Sequence, residues 1–168
     1  MWLFALIPFF LQALAIGIDE SYFHVKRGLP KWERIGHPID TFCFLICLLF
    51  TLWMPFTELN LKVYIALAVV SCIMVTKDEF VHTHHCPALE NWLHAFLFIL
   101  HPITLIVACC MWPVIQGQEV PVWLTHLFCE PTQLYRILLG QALFITLFFF
   151  YQIIFWNFIW HDRPIRKM

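Results

Sequence analysis

Five long apolar runs occupy most of the chain, at residues 1–18, 39–56, 61–76, 92–115 and 133–160. A helix that crosses a bilayer needs roughly 20 mostly apolar residues. Only 12% of the residues are charged, against about 25% in an ordinary soluble domain. The pattern predicts an all-α integral membrane fold with about five transmembrane helices. No stretch is left over for a separate soluble domain, so residues 1–168 read as one membrane domain. There is no glycine-rich nucleotide-binding motif, and nucleic acid is not an expected partner.

The first run has a small-residue Ala13-Leu14-Ala15 segment that resembles a signal-peptide cleavage site. Such peptides normally begin with a basic region, and no Lys or Arg precedes this run. Charge placement also keeps it as a span. With an outside N-terminus, the cytosolic pieces hold Lys26, Arg27, Lys31, Arg34, Lys77, Arg163, Arg166 and Lys167, and the outside pieces hold Lys62 and Arg136. That asymmetry obeys the positive-inside rule and predicts a cytosolic C-terminus.

An acid-and-histidine block joins the apolar runs twice. The first copy is Asp19-Glu20-Ser21-Tyr22-Phe23-His24, followed by Glu33-Arg34-Ile35-Gly36-His37. The second is Asp78-Glu79-Phe80-Val81-His82, followed by Glu90-Asn91-Trp92-Leu93-His94. Glycine commonly stops a helix and proline commonly starts one. Gly28-Leu29-Pro30 and Cys86-Pro87 therefore predict two cytosolic helix turns. The chain reads as two pseudo-repeated helical hairpins, about 1–56 and 61–115, forming a four-helix bundle joined by a fifth helix at about 133–160.

Residues three or four apart share one face of a helix, with Cβ atoms about 5–6 Å apart. Glu20 and His24, Glu33 and His37, and Glu90 and His94 are four apart, and Glu79 and His82 are three apart. Four helices thus each offer a carboxylate and an imidazole near the cytosolic face, and His101 follows His94 on the same face. A single pair is readily explained as an interfacial charge pair. Four pairs in register point instead to a metal, since intramembrane ionisable groups are functional candidates. His85 and His161 are secondary candidates.

This ligand arrangement resembles the di-iron carboxylate bundles, which project Glu residues and Glu-x-x-His motifs inward from four helices. The resemblance covers four of the five spans and lies in the arrangement of ligands. Three of the four pairs are Glu-x-x-x-His, and His82-Thr83-His84-His85 is only a fragment of a membrane desaturase box. The resemblance implies two metal ions, with iron leading and zinc or manganese as alternatives. It implies oxygen-dependent oxidation of a hydrophobic substrate, with electrons from an external donor. A zinc-dependent lipid hydrolase and a non-enzymatic metal or haem protein remain open.

Other polar residues have simpler readings. Lys26, Arg27, Lys31 and Arg34 read as a topology signal, and Asp40 as a carboxylate orienting His37. Asp19 and Asp78 either orient imidazoles or are solvated. The amides of Gln141, Gln152 and Asn157 read as helix glue. The odd number of cysteines, seven, argues against a disulfide framework. Cys86 alone sits where it could touch a metal.

Overall fold

Among the described residues, four helices have the length and apolar character to cross a membrane: α2 (Lys31–Trp53), α3 (Glu58–Val75), α4 (Ala88–Ile115) and α6 (Pro131–Ile154). The fold is known from a computed structural model that describes residues 6–77, 79, 86–128 and 130–160. The N-terminal run supplies α1 (Ile7–Ile18), which continues through a π-helical segment, Asp19–His24, and a last α-turn, Val25–Arg27. A short helix, α5 (Val122–Leu127), precedes α6, and α6 ends in a second π-helical segment, Phe155–Ile159.

Turn chemistry sets the hairpin between α1 and α2. Gly28 has φ of 78°, a region that only glycine enters without strain. It ends the helix, and Pro30 in extended conformation caps α2. Pro87 caps α4 with nearly the same geometry: φ and ψ are −69° and 156° there, and −62° and 154° at Pro30. Each proline is followed three residues later by a glutamate and seven later by a histidine, so Glu33 and Glu90 take equivalent places in the first turns of α2 and α4. A carboxylate there faces the positive end of the helix dipole.

α1 packs on α4, and α2 packs on α6, α3 and α4; α4 also touches α3 and α6. Phe44, Leu48, Leu105, Met111, Trp112, Leu138 and Ile145 fill the space between them. In lipid these helices associate through close packing and interhelical hydrogen bonds. Tyr64 Oη donates to the Leu105 carbonyl at 2.7 Å, and Trp112 Nε1 donates to the Met54 carbonyl at 2.8 Å. Outward faces are apolar: Phe10, Leu59, Leu147 and Phe158 are all at least two-thirds exposed. A surface of that kind suits a lipid environment.

The polar core lies at one end of this bundle. It is built where α1 finishes, α2 and α4 begin, and α6 finishes.

Candidate metal centre

His24 is the hub. Its Nδ1 lies 3.0 Å from Glu20 Oε2, and its Nε2 lies 3.1 Å from Asp19 Oδ2. The same Asp19 oxygen lies 3.2 Å from His94 Nε2, and Glu90 Oε1 lies 3.9 Å from His24 Nε2. Asp19, His24, Glu90 and His94 each present a donor atom within 4.8 Å of the others. All four are buried. His24, Glu33 and His37 form a second such group, with the His24 and His37 rings 4.9 Å apart.

The π-helical segment explains how Asp19 reaches His24. On an α-helix at 3.6 residues per turn, residues five apart are about 140° apart around the axis. The i→i+5 bonding of a π-helix widens the turn and returns them to one side; such insertions often mark functional sites. Asp19, Glu20, Phe23 and His24 are all buried as a result. Alpha-helical spacing pairs His24 with Glu20 and overlooks Asp19, which is the closer link to His94.

Arg27 was expected to be a topology signal. The structure adds a second role, since its side chain is buried and bridges the two capping glutamates. Nη2 lies 2.8 Å from Glu33 Oε2 and 2.9 Å from Glu90 Oε1. Burying a guanidinium is costly unless it is paired, and these two carboxylates supply the pairing. Asp40 likewise makes an ion pair with Lys77, at 2.6 Å. Gln152 accepts a hydrogen bond from Thr41 at 2.7 Å, joining α6 to α2 as an amide glue residue should.

Trp156, on the second π-helical segment, donates its indole N–H to Glu20 Oε1 and stands edge-on to His24 at 6.4 Å. Nothing in its apolar surroundings distinguishes it from the packing tryptophans. Cys86 touches Glu90, and burial pushes its thiol up.

The sequence candidates divide accordingly. Glu20, His24, Glu33, His37, Glu90 and His94 come together, and Asp19 joins them. Glu79 is half-buried and belongs to neither donor group. His101 is buried deeper, hydrogen-bonded to Gln12 and Ser71. His82, His85 and His161 lie outside the described residues.

The donor set fits a cation. Four carboxylates and three imidazoles gather at this end of the bundle with one guanidinium, which pairs with two of the carboxylates, and Asp19 Oδ1 and Glu90 Oε2 are buried without a hydrogen-bond partner. Leaving buried carboxylate oxygens unpaired is costly. Donors held about 2.0–2.2 Å from one ion lie roughly 3–3.6 Å apart, and the Asp19–His24 and Asp19–His94 contacts already fall in that range. Burial alone would push the His24 imidazole down, but Asp19 and Glu20 raise it to about 10. Burial would raise Asp19, yet His24 and His94 hold its carboxyl well below the usual range.

A cavity of about 110 Å³ opens beside the cluster. Asp19, Glu20, His24, His37 and His94 form its polar end, while Phe44, Leu97, Phe98, Ile145 and Phe148 are among its apolar walls. The site is therefore a buried metal-binding cluster within a bundle of membrane-length helices, with an apolar chamber beside it. No protein-family model matches the chain, and no curated protein or solved structure matches it either.

Proposed function

We propose that this protein is a membrane-embedded di-metal oxidoreductase, with iron as the metal, acting with oxygen on a hydrophobic substrate. The observation that carries this reading is the opening of a carboxylate-rich, histidine-containing cluster into a mostly apolar cavity. Asp19, Glu20, Glu33 and Glu90 would ligate or bridge; His24, His37 and His94 would be terminal ligands. Glu79 with His82 would complete the set. Bound iron would supply oxygen activation.

The chain's own groups prepare the site. Trp156 restrains Glu20, and Asp19 ties His24 to His94. The cavity walls exclude water and hold the apolar part of a substrate. With no nucleotide-binding motif, electrons come from an external donor at the cytosolic face, where the helix turns collect the basic residues.

A second reading rests on Arg27. If the guanidinium keeps Glu33 and Glu90, then Asp19, His24 and His94 offer a single-ion site with three protein ligands, which suits zinc and hydrolysis. Elemental analysis of protein purified without chelator or affinity-tag metal separates the two. About two irons per chain and substrate-dependent oxygen consumption are expected. One zinc per chain favours the hydrolase, and a fully folded protein that takes up no metal overturns both.

A further inference from the structure

Gln12, His101 and Ser71 form a second buried polar group, one layer deeper in the bundle. Gln12 lies on α1, Ser71 on α3 and His101 on α4. Gln12 Nε2 is 3.1 Å from His101 Nδ1, and His101 Nε2 is 2.9 Å from Ser71 Oγ. An amide nitrogen can only donate. His101 Nδ1 therefore accepts from Gln12, and its Nε2–H donates to Ser71. All three side chains are buried. The relay fixes the Gln12 amide and leaves its oxygen, Oε1, without a donor.

Gln12 and His101 both line the cavity that reaches the metal cluster. Gln12 precedes Asp19 by seven residues, and His101 follows His94 by seven. At 1.5 Å per residue this places the two polar layers about 10 Å apart along the helices. Ile16, Phe44, Leu97, Phe98, Ile145 and Phe148 line the chamber around them. Both His101 nitrogens are engaged, while Gln12 Oε1 is a buried acceptor with no donor.

We propose that Gln12 anchors the substrate through a hydroxyl group. The ligand is a predominantly apolar molecule with a hydroxyl group, whose hydrogen bond Gln12 Oε1 accepts. The hydroxyl sits in the deep layer, and the opposite end of the molecule faces the metal cluster. This rests on reading the cavity as the substrate chamber of that centre. It assigns the substrate class and the end of the molecule that reacts.

The test uses the full chain in lipid nanodiscs, stripped of metal so that ligand binding is read apart from metal chemistry. The probes are 4-octylphenol and its methyl ether, which lacks the donor, with partition into empty nanodiscs subtracted. The phenol is expected to bind about three- to tenfold more tightly, the range of one neutral hydrogen bond. That preference falls to about one in Gln12→Leu or in the similarly sized Gln12→Met. Equal binding of phenol and ether to the unmodified chain overturns the anchor and needs no variant to fold. A preference that survives in both variants overturns it as well. Metal content is measured in parallel. Normal metal uptake without phenol preference overturns the anchor alone, and phenol preference without metal uptake overturns the metal reading alone.

Discussion

Asp19 Oδ2 lies 3.1 Å from His24 Nε2 although the two residues are five apart in the chain. The π-helical turn between them makes the contact, and the same oxygen reaches His94 on α4. Asp19→Asn keeps the shape and removes the charge. Metal affinity is expected to fall at least tenfold, since even supporting groups around metal ligands contribute about 10–100-fold. Metal titration checks this, with circular dichroism showing the helices intact.

Arg27 holds Glu33 and Glu90 together. Arg27→Met leaves both carboxylates buried without it, and removing one partner of a buried pair costs about 3–5 kcal/mol. The metal-free variant should melt well below the unmodified protein in the same detergent. Added metal should restore more stability to the variant than to the unmodified chain, because it resupplies positive charge. Equal melting temperatures without metal would show that the guanidinium contributes nothing net.

The His24–Asp19 pair predicts a pH profile for the metal-free protein. His24 is raised from 6.5 to about 10; its contribution is full below 6.5 and is lost as pH rises toward about 10. Asp19 is lowered from 3.8; its contribution is present above that value and is lost as pH falls below it. Thermal melts should therefore peak between about pH 4 and 6.5 and decline toward pH 10. Metal uptake has the opposite sign: an ion must displace the His24 proton, so apparent affinity rises with pH over the same interval. A metal-free protein that melts higher at pH 9 than at pH 6 contradicts the assignment.

Trp156→Phe removes the indole donor from Glu20 while keeping an aromatic ring beside His24. Hydrogen bonds to charged groups contribute about 1.5–3 kcal/mol. The variant should retain its fold and lose metal about 10–100-fold faster to a chelator, the range seen for groups that orient ligands. An unchanged loss rate would make Trp156 a packing residue.

The helices were legible because lipid demands long apolar runs, and the hairpin turn was legible because Gly28 and Pro30 mark it. Three of the ligand pairs were legible from four-residue spacing. A tighter signal was also present, since Pro30 and Pro87 each lead a Pro-x-x-Glu-x-x-x-His pattern that puts Glu33 and Glu90 in matching first turns. Asp19 was legible only as a candidate for orienting an imidazole, because its place in the donor group depends on i→i+5 bonding, which α-helical spacing does not express. The ion-pairing role of Arg27 was not legible because only the folded hairpins bring two carboxylates to it. The roles of Gln12 and Trp156 depend on long-range contacts that no local pattern encodes.

The bond between Trp156 and Glu20 joins residues 136 positions apart, and this gives the centre a birth order. α1, α2 and α4 can enter the membrane and gather most of the ligands before the last helix is made. Glu20 acquires its indole restraint only when α6 and its terminal turn have been inserted. Metal loaded earlier would meet a looser cage, so secure loading follows the insertion of α6.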